Sequence, residues 1–330
     1  AGALQLGEDL RSQVAESAAP TADSATATIS VGITMFGGKR DAGAESILVA
    51  ADQAMYRAKE EGRNQIALFQ DPGEPERRAE RKQTTTARIR DALTNDRLSL
   101  HTQPIRSLAS GGIERYELLL RMTGEDGELL PASAFIETAE RSGLVQELDR
   151  WVVARALELM GNRERDGEPV SLHINISGAS ITDLSVIEFI ERRLDEGGTD
   201  PARCTFEITE TAHVHDYQAA AGFADRLGEF GCQVAIDDYG AGFGPFHYLK
   251  QIPFDMIKID GSFVRDMPRS DADQLTVQAI VGIARGLGKT TIAEFVQDDA
   301  TTQMLREYGV DMAQGYHLGR PVAVEDALTA

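Results

Sequence analysis

The chain has few cysteines, no long apolar run and no basic block, and each shortage removes a class of protein. Two cysteines among 330 residues, Cys204 and Cys232, are too few for a disulfide framework and lack the spacing of a metal-thiolate site. Both are expected as buried reduced thiols. No stretch approaches the roughly 18 uninterrupted apolar residues of a membrane span, and no basic-then-apolar segment opens the sequence. The expected setting is cytoplasmic, with no membrane contact from this segment. The 33 Lys and Arg face 53 Asp and Glu, a formal charge of −20. A nucleic-acid polymer is therefore excluded as a partner, because clamps on such polymers gain most of their affinity from basic patches. What is present, a hydrophobic content of 42%, suffices for a packed core.

Composition shifts most at Asp71–Gln83, DPGEPERRAERKQ, where Pro, Gly and dense mixed charge interrupt any apolar period. These residues, 71–83, read as a linker between a segment at 1–70 and a larger domain at 84–330. The first segment has the pattern of a helix at Leu4–Val14, a strand at Thr28–Ile33, a helix with Ile47, Leu48, Ala51 and Met55 on one face, and a strand at Gln65–Phe69. Two strands are thin for an independent core.

After the linker, a helix at Thr84–Leu93 leads to strands at Leu98–Gln103 and Ile113–Leu120, joined by a turn at Ser110–Gly112 short enough for an antiparallel hairpin. Six more strands follow, at Ser171–Ile176, Thr205–Thr209, Gln233–Ile236, Met256–Ile259, Thr290–Ala293 and Met312–Gln314. Helical segments such as Glu147–Met160, Val186–Glu196, Tyr217–Phe230 and Ala272–Leu287 alternate with them. Eight strands so spaced predict an α/β fold of the TIM-like β/α barrel type, its first strand antiparallel.

In such a barrel the active site lies at the carboxyl ends of the strands, and polar residues gather there. The second strand carries Glu117 and then Arg121, the third Asn175, the fourth Glu207 followed by Glu210. The fifth ends in Asp237-Asp238, the sixth carries Lys258 and Asp260, the seventh leads to Glu294 and the eighth to Gln314. Buried unpaired carboxylates are costly, and a divalent cation offsets that cost. Carboxylates with an Asn carbonyl suit Mg²⁺ or Mn²⁺ rather than zinc. Adjacent acids that face two ions are the usual machinery of phosphodiester cleavage. Arg121 and Lys258 are then the cations expected to meet phosphate oxygens.

These residues resemble a known family. Glu117-Leu118-Leu119-Leu120-Arg121 is similar to the E-x-L-x-R signature of EAL domains, phosphodiesterases of cyclic di-GMP, with Leu118 where the name-giving motif has Ala. HINIS at His173–Ser177, FEITET at Phe206–Thr211, IDDYGAGF at Ile236–Phe243, IKIDGSFV at Ile257–Val264, AEFV at Ala293–Val296 and QGYHLGRP at Gln314–Pro321 follow in the family's order. The resemblance implies hydrolysis of cyclic di-GMP to linear pGpG, with Mg²⁺ or Mn²⁺ in a two-metal site. It implies metal ligation by Glu117, Asn175, Glu207 and Asp237, with Asp238 serving the second ion. Glu294 is the implied general base, and Lys258 would contact phosphate or the attacking water. Arg121, Gln103, Leu118, Gln314 and Phe295 would contact the dinucleotide. Glu210 would brace the loop after the fifth strand, which in the family contributes to dimer contacts, so a homodimer through the barrel is expected.

The chain departs from the pattern at three places. Ala241-Gly242-Phe243-Gly244-Pro245 stands where relatives have Thr-Gly-Tyr-Ser-Ser, Phe295 and Gln297 replace a frequent Gly and Glu, and Leu118 replaces Ala. A catalytically inactive receptor for the same dinucleotide is the alternative that the altered loop favours. SVG at Ser30–Gly32, ADQAMYRAK at Ala51–Lys59 and GRN at Gly62–Asn64 resemble the second half of a GGDEF domain, the diguanylate cyclase fold. The catalytic hairpin of that family is not among these residues, so no cyclase activity is expected of them. Gly286–Thr290 lacks the leading Gly and preceding strand of a P-loop. His213 and His215 read as solvated loop residues. His173 shares a strand face with Asn175 and reads as a hydrogen-bonded core histidine.

Overall fold

The structure is a computed structural model that describes residues 2–17, 28–34, 51–52, 54–59, 64–69, 74–124, 126–209, 217–240 and 252–328. It comprises two compact units, Ala1–Arg81 and Lys82–Ala330. In the first, helix α1 (Gly2–Ser17) accompanies a parallel pair, β1 (Val31–Ile33) and β2 (Ile66–Leu68), with Val31 opposite Ile66. Residues 54–59 are helical and bury Ala54 and Ala58 with Ala67. Gly32 has no room for a side chain: a Cβ there would lie 2.1 Å from the Ala51 carbonyl oxygen and 2.3 Å from the Met55 nitrogen. That close approach accounts for the glycine of the SVG motif. Ile47 and Leu48 lie outside the described residues.

Helix α2 (Glu74–Thr94) starts ten residues before the expected Thr84, within the charged stretch read as a linker. Its second residue is Pro75, tolerated in a first helical turn, and the Glu, Arg and Ala that follow favour helix even without an apolar face to bury.

The second unit opens with the expected hairpin, β3 (Leu98–Ser107) and β4 (Ile113–Thr123), which is antiparallel and turns through Gly111 at φ +73°. A short strand β5 (Leu129–Pro131) adds to β4. Then come α3 (Ile136–Ser142), α4 (Val145–Arg165), β6 (Leu172–Ile176), α5 (Gly178–Ile181), α6 (Leu184–Gly197), β7 (Cys204–Thr209), α7 (Tyr217–Glu229), β8 (Gln233–Tyr239) and β9 (Met256–Ile259). The unit ends with α8 (Gly261–Arg265), α9 (Asp271–Gly286), β10 (Thr290–Ala293), α10 (Asp299–Tyr308), β11 (Met312–Ala313), β12 (Val322–Ala323) and α11 (Val324–Leu328). Strands pair in the order β3-β11-β10-β9-β8-β7-β6-β4, and the β3–β4 pairing closes the ring. Only β3 runs against its barrel neighbours. The expected eight-stranded barrel with an antiparallel first strand is therefore present.

Two cores flank the barrel wall. Outward-facing residues such as Leu118, Ile174, Phe206, Ile236 and Ile257 pack with the helices, whereas Ile105, Ala235, Met256, Ile292 and Met312 form a separate apolar plug. Because side chains alternate along a strand, the residues two positions beyond the plug on the parallel strands share its inward face. Those residues are Asp237, Lys258, Glu294 and Gln314. Each strand thus changes from apolar to polar within one inward step, to a charged group on three of them and to the Gln314 amide on the fourth, and this charged layer lies at the carboxyl ends. Cys204 and Cys232 are buried free thiols, as expected.

Candidate functional site

Lys258 lies at the centre of the charged layer. Its side chain is closed to solvent, and its ammonium nitrogen lies 2.8 Å from Glu207, 2.9 Å from Asp237, 3.0 Å from Glu294 and 3.5 Å from Glu117. Burial by itself would depress the Lys258 pKa; the four carboxylates outweigh it and hold the ammonium well above its ordinary range. The residue expected to meet phosphate or the attacking water is thus surrounded by four carboxylates.

A chain of amides orients Glu117. The Gln314 side chain donates to Glu117 Oε2 at 2.6 Å and to Gln103 Oε1 at 3.0 Å, while Gln103 donates to the Gly319 carbonyl at 3.0 Å. Asn175 donates to Glu117 Oε1 at 2.9 Å. Burial raises the Glu117 pKa, but Lys258 and these amides win, so Glu117 is held below the usual carboxylate range. Glu207 goes the other way. It is fully buried, and burial with the neighbouring Glu117 and Asp237 charges raises it well above that range despite Lys258. His173 Nδ1 lies 2.7 Å from Glu207 Oε1, the buried partnership expected of this histidine. Burial, Lys258 and Arg115 keep the imidazole neutral.

Asp237 and Asp238 are neighbours in sequence, and regular alternation would aim them at opposite faces. The β8–β9 register shifts between Ile236 and Tyr239, and Asp238 has a left-handed φ of +54°. This irregularity brings a carboxylate oxygen of each within 4.8 Å of the other and of Glu294. Asp238 is raised to about 6, first by burial and then by Asp237 and Asp260. Glu294 is pushed up to about 8, first by burial and then by Asp237 and Glu117, against Lys258.

The site fits a hard divalent cation. Four buried carboxylates face one ammonium, and Asp237 Oδ1 is buried without a hydrogen bond, its contact with Lys258 being ionic only. Every donor atom is oxygen, the preference of Mg²⁺ and Mn²⁺ over softer ions.

Around this centre the expected substrate residues separate. Arg121 is half-buried on β4, its guanidinium donating to the Leu120 carbonyl at 3.0 Å. Phe295 is 48% exposed beside Glu294. Leu118, expected to contact the dinucleotide, is 2% exposed within the helix-packed core. Alternation puts it on the face opposite Glu117, so its contribution is packing. Glu210, His213 and His215 and the segment Ala241–Pro245 lie outside the described residues.

The sequence reading missed Phe295 as a backbone feature. Its φ is +54°, a conformation that costs a non-glycine residue about 1–3 kcal/mol. The frequent Gly of relatives at this position was the available signal.

The EAL domain family matches residues 86–321, and the family described as diguanylate cyclase, GGDEF domain, matches residues 1–65. The cyclic di-GMP phosphodiesterase PdeB of Shewanella oneidensis is 33% identical over 295 residues, covering 89% of this chain and 34% of that protein. The chain spans a third to a half of the length of the curated relatives it matches. The solved structure of the PaMucR phosphodiesterase in complex with c-di-GMP is 28% identical with a TM-score of 0.71, covering 74% of this chain and all of that one. The FimX EAL domain from Pseudomonas aeruginosa bound to c-di-GMP is 28% identical with a TM-score of 0.67, covering 72% of this chain and 96% of that one. No described helix is long and apolar enough to cross a membrane.

Proposed function

The chain belongs to the EAL domain family, and from that premise we propose that it hydrolyses one phosphodiester bond of cyclic di-GMP to give linear pGpG. The observation that carries the reading is the ring of Glu117, Glu207, Asp237 and Glu294 about the Lys258 ammonium at the carboxyl ends of the barrel strands. The phosphodiesterase names and bound c-di-GMP of its relatives support it.

Glu117, Asn175, Glu207 and Asp237 would hold one Mg²⁺ or Mn²⁺, and Asp238 a second. Bound ions of this kind polarise the phosphate and lower the pKa of water for attack. Glu294 accepts the proton of the attacking water as general base. Lys258 offsets the carboxylate charge and holds Glu294 at 3.0 Å. Arg121 binds a phosphate of the dinucleotide, Phe295 offers its half-exposed ring to the substrate, and Gln103 and Gln314 form the polar floor. Glu210 braces the loop after β8, and two copies associate through the barrel.

Incubation with cyclic di-GMP and Mg²⁺ or Mn²⁺, followed by chromatography for pGpG, tests the proposal. Conversion that stops on chelation is expected. Binding without turnover in either metal overturns it and identifies a receptor.

A further inference from the structure

Phe295 occupies a conformation that favours glycine, and its surroundings explain what keeps it there. On one side Glu294 donates its backbone N–H to the Ile259 carbonyl at 3.2 Å, and on the other Val296 donates to the Gln314 carbonyl at 3.0 Å. The chain is therefore pinned to both neighbouring strands, and the turn between the pins falls on Phe295 at φ +54°.

The ring then packs against α8. A Cβ on Gly261 would lie 2.2 Å from Phe295 Cδ2, 2.6 Å from Cγ and 2.9 Å from its Cβ. The absent side chain at 261 is thus the space that the aromatic ring fills. Gly261 has no left-handed φ that alanine would resist, so space alone demands glycine. The Arg265 guanidinium, also on α8, lies over the ring at 4.1 Å from its centroid. The same helix reaches the other acidic arm, since the charge of its N-cap Asp260 bears on Asp238.

We propose that Gly261 and Phe295 form one positioning unit, in which the ring seated on the bare backbone of α8 holds the adjacent Glu294 carboxylate within the acidic cluster. This inference rests on the proposed function, which places ions at Asp237 and Asp238, and it adds Glu294, whose carboxylate oxygen lies within 4.8 Å of theirs, to the groups that face the cation. Neither Gly261 nor the seat of the ring touches the reacting atoms; both act through Glu294.

The test is Mn²⁺ binding by calorimetry on the whole chain, for the unaltered protein, Gly261→Ala, Phe295→Gly and the double variant, with far-UV circular dichroism alongside. Gly261→Ala is expected to weaken Mn²⁺ binding about tenfold or more, the scale of lost support behind a metal ligand, with unchanged dichroism. The double variant, which removes the ring that the new methyl meets, is expected to recover the affinity of Phe295→Gly alone. If Gly261→Ala does not fold, refolding by the added Phe295→Gly supports the contact, and continued unfolding overturns it. Equal Mn²⁺ binding by Gly261→Ala and the unaltered protein overturns the coupling only. An unaltered protein that takes up no Mn²⁺ overturns both the coupling and the proposed function.

Discussion

Lys258 Nζ lies 2.8 Å from Glu207 Oε2, and both side chains are closed to solvent. The pair is one edge of a cluster in which a single ammonium faces four carboxylates, so the lysine matters more for what it neutralises than for any one bond.

Replacing Lys258 by Met leaves those carboxylates without their buried cation. Removing one partner of a buried ion pair costs about 3–5 kcal/mol, and a loss of that size is expected in urea unfolding with chelator present. Added Mn²⁺ should restore more stability to Lys258→Met than to the unaltered protein. Equal stability of the two proteins in chelator would contradict the arrangement.

Glu294 links stability to pH with a definite sign. Its folded-state value of about 8 stands above the ordinary 4.5, so the metal-free folded state holds a proton that the unfolded chain releases. Its contribution is complete below about pH 4.5 and is lost as pH rises through about 8. Asp238, raised to about 6, acts with the same sign over a lower window. In chelator, the urea midpoint should fall with pH more steeply between about pH 5 and 8 for the unaltered protein than for Glu294→Gln. Parallel profiles would remove Glu294 from the account.

Asp149, on α4, accepts from the Ser177 backbone N–H at 3.1 Å and from the Ser177 and Ser180 hydroxyls at 2.6 Å each. It ties the start of α5 to the end of the strand that carries Asn175. Asp149→Ala leaves buried donors unmatched and should cost about 1–3 kcal/mol in chemical unfolding. A change within error of zero would show that water replaces the carboxylate.

Much of this was legible because the barrel imposes a period of two. Met256 and Lys258, Ile292 and Glu294, and Met312 and Gln314 share inward faces, and the apolar-to-polar change along them marks the carboxyl ends. The same period opposes Leu118 to Glu117 and makes it core, a consequence that motif matching overlooks. The irregular backbone was not legible. No strand pattern announces the register shift that gathers Asp237 and Asp238, and Phe295 is a residue type seldom found at φ +54°. The partners of Lys258 were also hidden, since a lysine at a strand end reads equally as a ligand for phosphate or for carboxylates until four strands are placed together. Helix α2 begins early because charged helix formers need no buried face.

Glu117→Ala removes the carboxylate that accepts from both Asn175 and Gln314. Turnover of cyclic di-GMP should be abolished through lost Mn²⁺ affinity, read by calorimetry beside the product assay. Full activity in this variant would mean that the site is misassigned.

This ring of carboxylates is tested as a cation site most directly by anomalous diffraction at the manganese edge from Mn²⁺-soaked crystals. Anomalous density is expected among Glu117, Asn175, Glu207 and Asp237. Manganese bound elsewhere, with Glu117, Glu207 and Asp237 still gathered about Lys258, would contradict it.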